Sequence, residues 1–306
     1  MRAFAFTTLA ALGLVTGFQA TPAMAQDRDV LGYGRLFTND YFGDNKDRWR
    51  TGSYVLSQVR GYEWNGARPD TFGAIIEYRF RSEIIAPSRL SQRAPDDRQY
   101  AGMFSFGIHT HFEEFGAEFS TGVDLVAVGP QTGLGGFQES VHRLIGAKIP
   151  EVLDDQIEDG FHLSGTIEVA KSYTFGPAMV RPFIEVSAGV EDIARIGFDA
   201  FFGPVGRDDL LLRDVTTGQL YRGTDNSVTG FSFVVGADYV AVGDSVFLPN
   251  DTGPAAKEQR SRGRAGLHWQ MAEDTSFFYG VTYLSEEFEG QSEGQFLGSL
   301  KLNFNF

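Results

Sequence analysis

From Gln295 to the last residue, side chains alternate: Phe296, Gly298, Leu300, Leu302, Phe304 and Phe306 fall on one face, and Gln295, Ser299, Lys301, Asn303 and Asn305 on the other, with Leu297 the exception. A period of two over about ten residues marks a strand whose two faces meet different surroundings. The same pattern recurs upstream between clusters of Gly, Asp, Asn and Pro, while long amphipathic helical patterns are nearly absent, which predicts an antiparallel sheet. Twelve segments read this way, near 30–39, 51–60, 72–83, 100–113, 115–128, 161–173, 178–190, 193–203, 229–241, 262–272, 275–285 and 294–306. Twelve is an allowed even number for a closed barrel, and ten or fourteen are also compatible with the pattern.

A soluble sandwich has the same period, so other features must place the sheet. The strands have the length of a tilted bilayer crossing; Phe277, Tyr279 and Tyr283 share one strand face; and the sequence ends on Phe306. Strands in lipid must close on themselves, because an open edge would leave backbone groups unpaired. The predicted fold is therefore all-β, a closed antiparallel transmembrane barrel of about twelve strands with a short helix in one loop. Beyond the first 25 residues no stretch approaches the roughly 18 apolar residues of a spanning helix. Those 25 residues carry Arg2, an apolar run from Ala3 to about Phe18 and the small-residue ending Pro22-Ala23-Met24-Ala25, so residues 1–25 are expected to be a cleaved signal peptide and 26–306 the barrel. A terminal Phe on the final strand is expected to be read by the outer-membrane barrel-assembly machinery. With no cysteine, disulfides contribute nothing, and a formal charge of -14 argues against a nucleic-acid partner.

Polar segments lie around 40–50, 85–99, 129–160, 204–228 and 242–261, none long enough for a second domain. Within 129–160, Gly129-Pro130 ends a strand and Phe137 to Ile145 reads as a short helix. On it Gln138 and His142, four apart, share a face, and Val141, Leu144 and Ile145 are expected to anchor it. His142 is a candidate general base, although spacing alone favours a loop histidine on a polar surface. A second cluster, Thr38-Asn39-Asp40 with Asp44, Asp47, Arg48 and Thr51-Gly52, offers oxygens for calcium; ordinary turn chemistry accounts for the same residues and is preferred on spacing alone. His109 and His111 point to one side of a strand, as a metal pair or, more simply, as polar residues facing the lumen. No Gly-x-Ser-x-Gly elbow or Walker loop occurs.

Taken together, Thr38-Asn39-Asp40, Asp47-Arg48 with Thr51-Gly52, Asp97-Arg98 with Tyr100-Ala101-Gly102, and Val128-Gly129-Pro130 followed by Gln138-x-x-x-His142-x-x-x-Gly146-Ala147 resemble the outer-membrane lipid A 3′-O-deacylases. The order and spacing hold from about Leu31 to Gly160, and the rest matches in its barrel pattern. The resemblance implies a twelve-stranded barrel with its site between barrel wall and outer leaflet, removing the 3′-linked acyloxyacyl chain of lipid A, the lipid anchor of lipopolysaccharide, with calcium dependence. It places the family's Asn-Asp pair on Asn39 and Asp40, its threonine on Thr51, and its glutamine and histidine on Gln138 and His142. On that reading His142 takes a proton from the attacking water, and the oxyanion is stabilised by Ca2+ held chiefly by Asp40.

One position departs from the family: after Gly146-Ala147 stands Lys148 where an acid is expected, and Glu151 is the nearest acid. Arg89, Arg93 and Arg98 are candidates for the lipid A phosphates, with a solvated loop, or for Arg98 a pairing with Asp96 or Asp97, as the simpler account. Two other classes remain: a passive barrel, porin or structural, and a barrel phospholipase with Ser140 or Ser53 as nucleophile.

Overall fold

The computed structural model describes residues 27–304 apart from 225–227, 250 and 274. The expected signal peptide and the terminal Phe306 lie outside the described residues. Fifteen strands form: β1 Asp29–Asn39, β2 Trp49–Gly61, β3 Ile76–Ala86, β4 Ala101–Glu114, β5 Ala117–Val128, β6 Gly160–Ala170, β7 Tyr173–Phe175, β8 Ala178–Ala188, β9 Glu191–Phe202, β10 Leu211–Arg213, β11 Leu220–Arg222, β12 Gly230–Ser245, β13 Gln259–Ala272, β14 Thr275–Leu284 and β15 Gln295–Phe304. Twelve of them are barrel staves. Each pairs antiparallel with its neighbours, β1 closes onto β15, and pairing of β6 with β8 completes the ring, with the short β7 extending the edge of β8. All twelve expected segments are present, including the one at 193–203.

Each stave keeps its alternation, with apolar residues outward. Along β12, Phe231, Phe233 and Tyr239 are exposed while Ser232 and Asp238 are buried. Leu297, the break in the last strand, faces inward and is fully buried opposite Thr282. No helix among the described residues is long and apolar enough to cross a membrane.

The lumen is partly occupied by the chain itself, with a cavity left among inward-facing residues such as Arg79, His109, Asp124 and Glu185. The segment around 204–228, read from sequence as a polar connection, instead turns back into the barrel as the hairpin β10–β11. Its polar composition hid this because a barrel lumen rewards polar residues. On one side Leu210, Leu212 and Tyr221 pack on the inward-facing Leu36, Val55 and Val59. On the other, Arg213 reaches Glu168 (2.5 Å) and Asp199 (2.9 Å), and Arg264 reaches Asp199 and Asp238 (2.5 Å each). A charge buried without a partner costs several kcal/mol, so this mutual pairing is the condition for a charged lumen. His109 and His111 both face inward as the simpler expectation had it, paired with Asp124 (3.1 Å) and Glu77 (2.9 Å).

The barrel end opposite the chain termini carries the loops at 40–48, 87–100, 129–159, 246–258 and 285–294. In the third lies α1, Leu134–Ile145. It begins three residues before the expected Phe137, after Gly133 in the left-handed region (φ 67°), and ends on Gly146 in the same region (φ 72°).

Candidate active site on the outer wall

β1 ends at Asn39, whose Oδ1 accepts the Tyr41 N–H (2.9 Å) and so caps one turn of 3-10 helix, Asp40–Phe42. That turn bends outward over the barrel wall: a Cβ on Gly298 of β15 would stand 2.5 Å from Phe42 Cβ. Asp40, 1% exposed, is thereby fixed beneath the turn, its Oδ2 accepting the Arg48 N–H at 2.8 Å.

Thr51 owes its position to a β-bulge. Arg50 pairs with Ile85 and Gly52 with Ile84, leaving Thr51 as the extra residue. A bulge re-aims side chains. Here Arg50 turns into the lumen to meet Glu83 and Glu287, while Thr51 faces the carboxylates of the β1–β2 loop. Trp49, next to the bulge, has φ 51°, costly for a bulky residue. It is held by an edge-on contact with Phe288 and by the Arg48 guanidinium 3.9 Å above its ring. Gln295 clamps the local backbone, accepting from Arg50 N–H (3.2 Å) and donating to the Arg48 carbonyl (2.7 Å).

On the other side α1 lies against the same wall. Gly102 of β4 faces outward, and a Cβ there would come within 2.6 Å of Thr132 Oγ1 and 2.9 Å of Leu134 Cβ, so only glycine admits the start of the helix. From there α1 carries Gln138 and His142 on its wall-facing side, both buried. The apolar side chains expected to anchor it do not: Leu144 and Ile145 are 86% and 67% exposed, and Val141 is half-buried. The helix is amphipathic with respect to lipid, not to a protein core, and periodicity alone does not separate the two.

Asp47 joins the halves. Its Oδ1 accepts from the Thr51 hydroxyl (2.6 Å) and from Gln138 Nε2 (3.3 Å), and its Oδ2 stands 3.3 Å from His142 Nε2. Tyr100, fully buried, donates to Gln138 Oε1 (2.9 Å), which obliges the carboxamide to turn its NH2 towards Asp47. Burial and the charge of Asp47 hold the Tyr100 phenol above its ordinary range, so it stays a donor. His142 Nδ1 lies 2.6 Å from the Lys148 carbonyl, an acceptor only, so Nδ1 carries the proton.

This contact gives Lys148 a role. Its backbone orients the imidazole, while its ammonium reaches out to Ser91 Oγ (3.1 Å). Glu151 is exposed, its backbone N–H donating to the Leu90 carbonyl. Of the three arginines, Arg98 is fully buried and bonds Glu287 (2.6 Å), while its backbone N–H, not its guanidinium, meets Asp97. Arg93 pairs with Asp155 (2.6 Å), and Arg89 is exposed.

Electrostatically the site is acidic. Burial, with Asp47 and Asp44 nearby, pushes the Asp40 carboxyl up to about 8, against the hydrogen bond from Arg48 N–H that lowers it. The Thr51 hydroxyl has one proton; at 2.6 Å it goes to Asp47, leaving the 3.3 Å approach to Asp40 Oδ1 without one. Asp44 Oδ1 is buried with no hydrogen-bond partner. Hard oxygens in excess of donors suit a hard cation such as calcium. Among the described residues no three His, Cys, Asp or Glu side chains form a ready-made cage.

Sequence therefore brought together Asn39, Asp40, Thr51, Gln138 and His142, and the structure gathers all five on one patch of outer wall. It left out Asp47 as the joint and Tyr100 as the lock on Gln138; both stand inside the recognised motifs, which was the available signal.

A closed antiparallel barrel with an apolar outer face defines a class, the outer-membrane barrels, and this one carries a buried histidine and carboxylates at the loop end of its wall. Residues 9–306 match the family described as Outer membrane protein LpxR, and the chain belongs to that family, the outer-membrane lipid A deacylases whose motifs it carries. The barrel is similar to that of LpxR from Salmonella typhimurium, with TM-score 0.74 and 16% identity over 90% of this chain and 100% of that one, a likeness of fold. The NanC porin (TM-score 0.43, 7% identity, 90% of this chain and 100% of that one) and the beta domain of the Bordetella autotransporter BrkA (0.47, 9%, 91% and 100%) are too distant to carry an argument. A search of curated proteins gives no match.

Proposed function

We propose that this deacylase hydrolyses the ester of the 3′-linked acyloxyacyl chain of lipid A by direct attack of water, with His142 as general base and a calcium ion at Asp40. The observation that carries this reading is His142 itself. Its Nδ1–H is committed to the Lys148 carbonyl, which leaves Nε2, 3.3 Å from the Asp47 carboxylate, as the nitrogen that can take a proton. The Lys148 carbonyl thus plays the orienting part, on the nitrogen opposite the one that takes the proton, while Thr51 and Gln138 hold Asp47 on the Nε2 side of the ring. Asn39 holds the turn that carries Asp40, and Gly52 keeps room for it: a Cβ there would stand 3.2 Å from Asn39 Nδ2. Asp40, with the unpartnered oxygen of Asp44, supplies the donors for the cation. When bound, calcium stabilises the negative charge that develops on the ester oxygen.

A serine nucleophile has no support in the geometry. Ser140 Oγ donates to the Gly136 carbonyl of its own helix (2.8 Å), and Ser53 faces the lumen, where it is buried. The hairpin β10–β11, folded into the lumen, likewise disfavours an open porin.

The test is mass spectrometry of lipid A from cells expressing the protein, with calcium or chelator, beside Asp40→Ala. Loss of the 3′-acyloxyacyl mass that requires both calcium and Asp40 is expected. Deacylation that persists in chelator, or in Asp40→Ala, overturns the cation role.

A further inference from the structure

The two staves that flank β1 outrun it at the loop end. β1 stops at Asn39, opposite Gly52 of β2 on one side and Gly298 of β15 on the other, while β2 runs on to Trp49 and β15 to Gln295. The ring therefore has a notch in its rim where β1 leaves into the turn Asp40–Phe42. Buried backbone groups along such a notch need partners, because an unpaired N–H or C=O is costly.

From Arg48 to Arg50 the partners are side chains. Arg48 N–H donates to Asp40 Oδ2 (2.8 Å), the Arg48 carbonyl accepts from Gln295 Nε2 (2.7 Å), and Arg50 N–H donates to Gln295 Oε1 (3.2 Å). A backbone N–H only donates and a carbonyl only accepts, so these bonds fix which way the carboxamide faces. Its NH2 has a second hydrogen, with Asp40 Oδ2 at 3.5 Å and the Arg50 carbonyl at 3.4 Å. Gln295 is 2% exposed, and its side chain stands in the notch much as a peptide unit of a neighbouring strand would, donating and accepting along one edge.

The consequence for the site is directional. Asp40 Oδ2 is taken by the N–H of Arg48, whose carbonyl Gln295 holds, and Oδ1 is left facing Thr51 at 3.3 Å. Held at Arg50 as well, the strand keeps the bulge that presents Thr51 to that oxygen. Among the described residues the hydrogen bonds of Gln295 go to Arg48, Arg50 and Asp40, and none goes to Gln138 or His142.

We propose that Gln295 is a positioning residue of the cation site: by holding the backbone of Arg48 and Arg50 it sets the Asp40 carboxylate and the Thr51 bulge in the arrangement that receives the ion. This inference rests on the reading that places calcium at Asp40. It adds a residue from outside the shared motifs, in the half of the chain that carries only the barrel pattern, and it assigns Gln295 to cation affinity and not to the base.

The experiment uses the full-length protein in detergent micelles and titrates it with terbium, a luminescent stand-in for calcium excited through tryptophan, since Trp49 lies within the held segment. The wild type should give a signal that calcium displaces and that Asp40→Ala abolishes. Gln295→Met, which keeps the volume and loses the hydrogen bonds, should raise the terbium midpoint about tenfold. The calcium needed for half-maximal deacylation should rise in parallel, with kcat at saturating calcium within about threefold of wild type. Gln295→Asn, one methylene shorter, should fall between. Ser299→Ala breaks the buried bond to Thr38 (2.8 Å) that joins β15 to β1 below the notch; it should lower stability and leave the midpoint in place. Heat-modifiable migration on gels reports folding of each variant. A folded Gln295→Met or Gln295→Asn protein with the wild-type midpoint overturns the positioning role and leaves the cation site standing. A wild-type signal that survives calcium or Asp40→Ala removes the cation from Asp40, and the role of Gln295 with it.

Discussion

The lumen and the outer-wall site are both rich in buried carboxylates, and they treat them oppositely. Inside, Glu168 meets Arg181 and Arg213, Asp238 meets Arg262 and Arg264, and Glu287 meets Arg50 and Arg98. Outside, Asp40, Asp44 and Asp47 crowd into eight residues with one nearby guanidinium, Arg48, which is shared with Glu293 and the Trp49 ring. Where charge is matched within the protein it fixes a shape; where it is left over, it waits for a proton, a cation or a substrate. The wall site is thus where carboxylates outnumber the cations beside them, as the proposed cation role requires.

The sharpest way to break this contrast is to remove a group from each side. His142→Ala should lower deacylation by about 10²- to 10⁴-fold, the usual worth of a general base, with heat-modifiable folding unchanged. Lipid A processing that survives this substitution assigns the base elsewhere. The mirror experiment is Arg213→Ala, which strips one partner from both Glu168 and Asp199. A loss of about 3 kcal/mol of stability is expected in urea unfolding, with activity per folded molecule unchanged.

Smaller effects sharpen the picture of how the site is held. Gly102→Leu should lift the start of α1 from the wall, and since a displacement of about 1 Å can cost about 10²-fold, turnover should fall towards that value while the barrel still forms. Near-wild-type turnover there would mean that the helix is not seated by Gly102. The smallest effect is expected of Lys148→Ala. The carbonyl, not the ammonium, bonds His142, so activity should stay within about twofold; a collapse would assign the side chain a direct role.

The staves were legible in sequence because every one of them separates lipid from a polar lumen, and alternation records that difference directly. The hairpin β10–β11 was not, since its partners are polar side chains scattered over the whole barrel and its own residues look like any solvated connection. In the site, the motif residues could be placed on a strand end and a helix face, but the bulge at Thr51 leaves no trace in composition. Without it parity sends Thr51 into the lumen and Arg50 outward. Asp47 was visible as one carboxylate among several, and only the meeting of two loops distant in sequence singles it out. Leu144 and Ile145 were read correctly as one apolar face and assigned to the wrong neighbour, because hydrophobicity names a preference for leaving water and not the partner that satisfies it.

The glycine at position 102 lets α1 lie flat on the wall, so that on the proposed reading the site would open sideways instead of upward. An enzyme of that shape meets its substrate by lateral diffusion within a two-dimensional phase. Its rate then follows the mole fraction of substrate among neighbouring lipids, so that diluting the membrane with an inert lipid slows it whereas diluting the surrounding buffer does not.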